Sequence, residues 1–318
     1  SRQNSSLKMA NKIIFMGTPI FCVPILKSLY QNGYNISVVF TQPPQKSHRG
    51  QKINKSPIQG ISETLNIDYR TPKTLKDNHV EYEFLKELNA DLAIVCAYGQ
   101  IIPENFLNLT KKGFVNIHAS ILPSWRGAAP IQRSIMNLDP ETGISIMKIK
   151  KELDSGPVSN IYKIKIDQNQ NAQEISEKLS ALAAEKILDN VDDILEDKAK
   201  FIDQDHSKAT YAKKIDKEES RIDWDEDASK IIGKINGLFP SPGASFSFNG
   251  ERYKILKAEI GNGIGQVGEI ISNQLEVACN KNQSIKILEI QRQGKRPQKI
   301  SEFMLGSQIK KGSKLSNV

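Results

Sequence analysis

Two short runs, IIFM at 13–16 and LAIVCA at 92–97, are apolar at every position. A strand with one wet face alternates, so an unbroken apolar run of this length belongs to a strand covered on both sides. Around these runs the first half of the chain alternates β-rich and helical segments. The strand-like pieces are KIIFMG (12–17), NISVVFTQ (35–42), DLAIVCAYG (91–99), GFVNIHAS (113–120) and ISIMKI (144–149). Between them PIFCVPILKSLYQNG, VEYEFLKELN and AAPIQRSIMNL carry helical patterns. Strand, helix, strand in succession predicts an α/β, Rossmann-like parallel sheet with right-handed crossovers, whose ligands sit beyond the carboxyl ends of the strands.

The second half reads differently. Residues 172–195 form the longest helical pattern, with Ile175, Leu179, Leu182, Ile187, Val191 and Ile194 on one packing face. A polar stretch through 206–219 reads as a linker, and DASKIIGKINGLF (227–239) reads as a helix capped by Asp227. Five short strand-like pieces follow, SFSFNG, RYKILKAEI, GEIIS, EVACN and SIKILEIQ. Short strands separated by Gly and Asn turns predict a smaller C-terminal β-barrel, OB-like. The expected domains are therefore 9–198, a linker at 199–219, and 220–318, which suits 318 residues.

No apolar run reaches the ~18 to 20 residues that span a bilayer, so no membrane association is expected. The polar leader 1–8 has no apolar signal core and reads as an extension upstream of Met9. Cys22, Cys96 and Cys279 lie far apart without CxxC spacing, which predicts neither zinc nor disulfides and fits a reducing cytoplasm. A monomer is expected.

Lys and Arg number 44 against 36 Asp and Glu, and the excess gathers at one end. Nine basic residues, among them Arg292, Lys295 and Arg296, face two acids over 279–318. Such a cluster suits phosphate neutralisation, and equally a solubilising surface; charge alone leaves both open. Two other patterns mimic ligand sites. Gly263, Gly265 and Gly268 spell GxGxxG, but the flanks on both sides are strand-like, so a glycine-rich hairpin is expected rather than a nucleotide loop. Asp223, Asp225 and Asp227 open like a calcium loop, yet its sixth and twelfth positions are Ala228 and Lys234.

The chemistry concentrates in VNIHASILPSWRGAAPIQ (115–132). On a strand, Asn116 and His118 project from one face. A carboxamide can donate to a developing oxyanion, and a neutral imidazole can accept or return a proton. Asp154, in the turn sequence LDSGP, is the candidate carboxylate to orient the ring. Spacing by itself leaves an ordinary Asp-Ser-Gly turn and a structural histidine as the other reading.

The block NIHASILPSWRGAAPIQ, followed by ETGISIMKI and LDSGPV, resembles the signature of the folate-dependent formyltransferases. With FMGTP, FTQPPQKSHRGQKINKSP, AYGQIIP, TYAKKIDKEESRIDW and LFPSPGA, the resemblance is closest to the methionyl-tRNA formyltransferase branch and covers nearly the whole chain from Met9. It implies transfer of a formyl group from 10-formyltetrahydrofolate to the amine of initiator methionyl-tRNA. Asn116, His118 and Asp154 match the catalytic amide, imidazole and carboxylate. Ser120, Ile121, Leu122 and Pro123 match the folate-contacting segment, with Ile121 where the family commonly has Leu; Tyr98 and Gly99 match a second wall. Lys46, Arg49, Lys52 and Lys55 lie in a loop matching the one that approaches the tRNA acceptor stem, with His48 and Gln51 departing from the usual residues. Arg292, Lys295 and Arg296 would hold phosphates on the basic barrel. No metal is implied, because the donor already activates the formyl carbon. The alternatives are a formyltransferase for a small-molecule or sugar-nucleotide amine, a 10-formyltetrahydrofolate hydrolase, and a non-catalytic RNA-binding protein. The basic loop and barrel count against the first two, and the intact Asn116, His118 and Asp154 against the last.

Overall fold

The computed structural model describes residues 8–47, 50 and 52–316. Arg49 and most of the leader lie outside the described residues. Contacts divide the chain into two compact units that interleave in sequence. The first comprises Ser1–Gly127, Gly143–Ile164 and Glu177–Tyr211; the second comprises Ala128–Thr142, Lys165–Ser176 and Ala212–Val318. The expected boundaries ran along the chain, whereas two short segments, 128–142 and 165–176, pack with the C-terminal half.

In the first unit β1 (Lys12–Gly17) leads into α1 (Val23–Gln31), which carries proline in its first turn where no intrahelical N–H is needed. Then come β2 (Asn35–Phe40), a two-residue antiparallel hairpin of β3 (Gln45–Lys46) and β4 (Ile53–Asn54), and α2 (Pro57–Thr64). The Ser56 side chain caps α2 by accepting from Gln59 N at 2.9 Å. After β5 (Tyr69–Arg70), α3 (His79–Leu88) starts on Asn78 as cap and ends on Asn89 in the left-handed conformation. Next follow β6 (Leu92–Cys96) and β7 (Phe114–His118); α4 (Pro130–Met136) belongs to the second unit, and β8 (Glu141–Lys148) and β9 (Val158–Lys165) complete the strands. Helix α5 (Ala172–Leu195) has the bounds expected from its periodicity.

The sheet order is β9-β8-β7-β6-β1-β2-β5. Its central strands are parallel, and Ile13 to Met16 are fully buried, as an apolar run without alternation requires. The chain builds outward from β1 through β2 to β5, then crosses over to β6. This reversal beside β1 is a topological switch point, where sheets of this kind open a crevice. Backbones meet closely there: a Cβ on Gly17 would stand 3.0 Å from the Cys96 carbonyl and 3.1 Å from Cys22 Cβ. One strand departs from the parallel expectation, since β8 runs antiparallel to β7 and places Ser145 opposite His118.

The second unit packs α4 against α6 (Ala228–Leu238). Gly233 and Gly237 permit the approach, because a Cβ there would meet Leu138 Cδ2 at 2.8 Å and Met136 Cγ at 2.6 Å. Asp227 occupies the cap position of α6, but its side chain makes no cap bond; Gln283 Oε1 instead accepts from Ala228 N at 2.8 Å. Strands β10 (Ala244–Phe248), β11 (Glu251–Ile260), β12 (Glu276–Ala278) and β13 (Ser284–Arg292) form a curled antiparallel sheet in the order β10-β11-β13-β12, with β14 (Gln298–Lys299) also on β13 and α7 (Ile300–Gly306) following. The sheet curls into a half-barrel, in keeping with the smaller C-terminal β-barrel expected. GEIIS forms only isolated bridges, Glu269 to Lys314 and Ile270 to Val277, because Gly268 turns the chain at φ +84 against the Leu315 carbonyl. The GxGxxG segment forms no hairpin either: Gly263 N donates to Glu276 Oε2 at 2.7 Å. Trp224, Phe246, Tyr253 and Phe303 pack ring against ring through the core of this unit, Phe246 stacked on Tyr253 and the other contacts edge-on.

Candidate active site

Three loops leave the carboxyl ends of β1, β2 and β6 and tie to one another. Thr18 Oγ1 donates to Tyr98 O at 2.8 Å and accepts from Gln42 N at 3.3 Å, while Gln100 Nε2 donates to Gln42 Oε1 at 3.1 Å. Glycine suits this crossing, since Gly99 sits at φ +87, which strains a side chain, with Gln42 Nε2 2.8 Å from where a Cβ would stand.

Strand β7 carries the two expected catalytic side chains. Asn116 is half-buried, and its carboxamide makes no hydrogen bond to another described residue. An amide held at a strand end without a protein partner is available to a ligand oxygen. His118 is 7% exposed, and its Nε2 lies 2.8 Å from Trp125 O. A carbonyl only accepts, so Nε2 carries the proton and Nδ1 is the nitrogen left to face Asp154 Oδ2 at 3.7 Å. That separation is within Coulombic reach yet outside hydrogen-bond length. The same Asp154 oxygen accepts from Gly127 N at 2.8 Å, and Asp154 itself holds φ 49. Because β8 is antiparallel, Asp154 arrives on the connection from β8 to β9 that turns back toward His118, not from a neighbouring carboxyl end.

Residues 11–191 match the family model described as formyl transferase, and 214–308 match the formyl transferase C-terminal domain. The chain belongs to the formyl transferase family. A methionyl-tRNA formyltransferase of Pelagibacter ubique (strain HTCC1062) is 66% identical over 310 residues, covering 98% of this chain and 100% of that relative. One from Mesorhizobium japonicum is 39% identical over 319 residues, covering 97% and 100%. Among solved structures, an N-formyltransferase from Helicobacter canadensis in complex with folinic acid and dTDP-3-aminofucose superposes with a TM-score of 0.68 at 18% identity, over 89% of this chain and 99% of that one. At that identity the likeness speaks to the fold.

Within this formyl transferase, the segment after His118 is built from the inside. Ser120 is fully buried, and its hydroxyl donates to Ser124 O at 2.6 Å, so the segment can offer a ligand its backbone and the rims of Ile121 and Pro123 rather than the Ser120 side chain. Leu122 is 4% exposed. Tyr98 likewise turns its ring into the core beside Phe40 and Val95, where burial pushes its phenol well above the usual range. Its backbone carbonyl accepts from Thr18, next to the exposed Gly99.

The expected phosphate contacts divide by whether they are already paired. Lys46 and Lys52 are exposed and have no acidic partner among the described residues, whereas Lys55 binds Glu63 at 2.9 Å. In the second unit Arg292 is paired to Glu251, while Lys295 and Arg296 are exposed.

Sequence reasoning missed four supporting side chains. Ser145 Oγ donates to Ser120 O at 2.7 Å and accepts from Leu122 N at 3.1 Å, holding the segment 120–122 from the facing strand. Arg126, Gln204 and Thr210 link the loop after β7 to the stretch read as a linker. The arginine sits inside the motif SWRGAAP and could have been singled out there; Ser145, Gln204 and Thr210 carry no local signal. Among the described residues, no group of three or more His, Cys, Asp or Glu converges as a metal site, and no helix is long and apolar enough to cross a membrane.

Proposed function

We propose that this chain transfers the formyl group of 10-formyltetrahydrofolate to the α-amine of methionine esterified to initiator tRNA. The observation that carries the reading is the unpartnered Asn116 carboxamide beside a His118 ring whose Nδ1 faces a buried carboxylate. The amine attacks the formyl carbon and a tetrahedral oxyanion forms. Asn116, half-buried, donates to that oxygen, and the bond strengthens as charge develops. His118, with Asp154 stabilising its positive form, helps move the proton from the attacking amine toward N10 of the folate. The bond from the formyl carbon to N10 then breaks and tetrahydrofolate leaves. The backbone of residues 120–123 and of 98–99 is the proposed wall for the folate.

The acceptor follows from the relatives named methionyl-tRNA formyltransferase, which align with almost the full length of this chain. Lys46, Arg49 and Lys52 are proposed to meet the acceptor stem, and Lys295 and Arg296 the phosphates of the tRNA, with Lys55 and Arg292 joining only by leaving their acidic partners. A cytoplasmic monomer is the proposed working form. The test is incubation with 10-formyltetrahydrofolate and charged initiator or elongator methionine tRNA, followed by detection of formylmethionine. Formylation of the initiator tRNA supports the reading. Formate release without formylmethionine, or transfer only to small amines, overturns it.

A further inference from the structure

We infer that Gln204 is a positioning residue for formyl transfer, acting on Asp154 through the backbone of its turn; this rests on the assignment of Asn116, His118 and Asp154 above. Asp154 occupies a left-handed conformation, which a non-glycine residue keeps only where its surroundings enforce it. Gly127 N holds its carboxylate and Ser155 closes the turn onto Glu152 O, while one carboxamide from outside the turn grips its backbone. Gln204 is 8% exposed, and its Nε2 donates to Asp154 O at 2.8 Å and to Gly156 O at 2.7 Å, gripping the turn on both sides of Ser155. Its oxygen accepts from Arg126 Nε at 3.3 Å and Nη2 at 3.0 Å. The amide is thereby saturated and its orientation settled, because a flipped group would set its oxygen against two carbonyls and its NH2 against a guanidinium.

Arg126 is 5% exposed and has no carboxylate partner among the described residues; its remaining contact is Nη2 to His206 Nδ1 at 2.8 Å. A buried guanidinium held by neutral acceptors costs stability relative to an apolar side chain. What it secures is the carboxamide that holds the Asp154 turn.

The same stretch fixes the other half of the pair. Thr210 N donates to Pro123 O at 3.2 Å, Thr210 O accepts from Arg126 N at 2.9 Å and Thr210 Oγ1 accepts from Trp125 N at 2.8 Å, while Trp125 O receives the His118 ring. His118 and Asp154 do not hydrogen-bond each other, so their 3.7 Å separation is set by this strap, not by mutual contact. Misplacement of a reacting group by about 1 Å costs on the order of 100-fold in rate.

The experiment compares steady-state kinetics of wild type, Gln204→Ala, Gln204→Glu, Asp154→Asn and the double variant Asp154→Asn/Gln204→Ala, with thermal melting of each. Gln204→Glu keeps a partner for Arg126 but loses both donors to the turn. The expected result is a fall in kcat of about 10- to 100-fold for both Gln204 variants, with KM for each substrate within about threefold. In the Asp154→Asn background, Gln204→Ala should cost less than about threefold more, as for residues acting through one group. A wild-type kcat for Gln204→Glu beside an inactive Asp154→Asn overturns the inference and leaves the catalytic assignment standing. An undiminished effect of Gln204→Ala in the double variant also overturns it. A wild-type kcat for Asp154→Asn would instead remove the assignment on which the inference rests.

Discussion

Asn116 and Glu219 represent two opposite ways of treating a polar side chain. Asn116 has no hydrogen-bond partner among the described residues, so on its proposed role replacing it removes little from the folded state and much from a transition state that carries an oxyanion. Asn116→Ala is expected to lower kcat by roughly 100-fold or more while KM for the folate changes a few-fold, measured in the formylmethionine assay. Glu219 is fully engaged: Arg133 binds both its oxygens, at 2.5 Å and 3.0 Å, and this hydrogen bonding holds its carboxyl at about 2 instead of 4.5. A depressed folded-state pKa stabilises above the unfolded value, so this contribution is complete above about pH 5 and is lost as the pH falls toward 2. Denaturation curves of Glu219→Gln between those limits should show a shallower acid loss than wild type, and an unchanged acid slope would assign the loss to other carboxylates.

At the scale of elements, the turn between β8 and β9 is the least forgiving part of the site. A Cβ on Gly156 would lie 1.7 Å from the Lys148 carbonyl, and Lys148 N donates to Pro157 O at 2.9 Å, so the turn is closed against its own strand with no room to shift. Gly156→Ala should destabilise by about 1 to 3 kcal/mol or more in urea titrations and lower kcat as well, because Asp154 is two residues away. Strand β7 was legible because Asn116 and His118 obey a period of two. The antiparallel sense of β8 was not, since an apolar strand looks the same in either direction. The strand β9 escaped notice because its polar, largely exposed sequence VSNIYKIK follows directly on a turn.

For the whole molecule, the proposed tRNA binding draws on the basic charges that are not already paired. Arg292 answers to Glu251 and Lys55 to Glu63, whereas Lys295 and Arg296 are exposed. Replacing Lys295 and Arg296 together by Ala should reduce the slope of log Kd against log salt for tRNA by about 2, at ~0.9 per phosphate contact. Replacing Arg292 and Glu251 together should leave the slope nearly unchanged, because the pair is removed without net charge. Fluorescence titrations between ~50 and 200 mM salt distinguish the two, and equal slopes for both variants would show that the phosphates bind elsewhere.

What the sequence determined by itself was local in origin: unbroken apolar runs that must be covered on both faces, a helical face over 172–195, and the chemical identity of Asn116, His118 and Asp154. Each depends on neighbours within a few residues, and periodicity or motif records it. Tertiary structure decided the rest. It turned Tyr98 and Ser120 inward, paired Arg292 and Lys55, and set Gln204 across the Asp154 turn. Gln204 meets Asp154 across 50 residues and Arg126 across 78, and a hydrogen bond between such distant groups leaves no periodic trace in the chain that makes it.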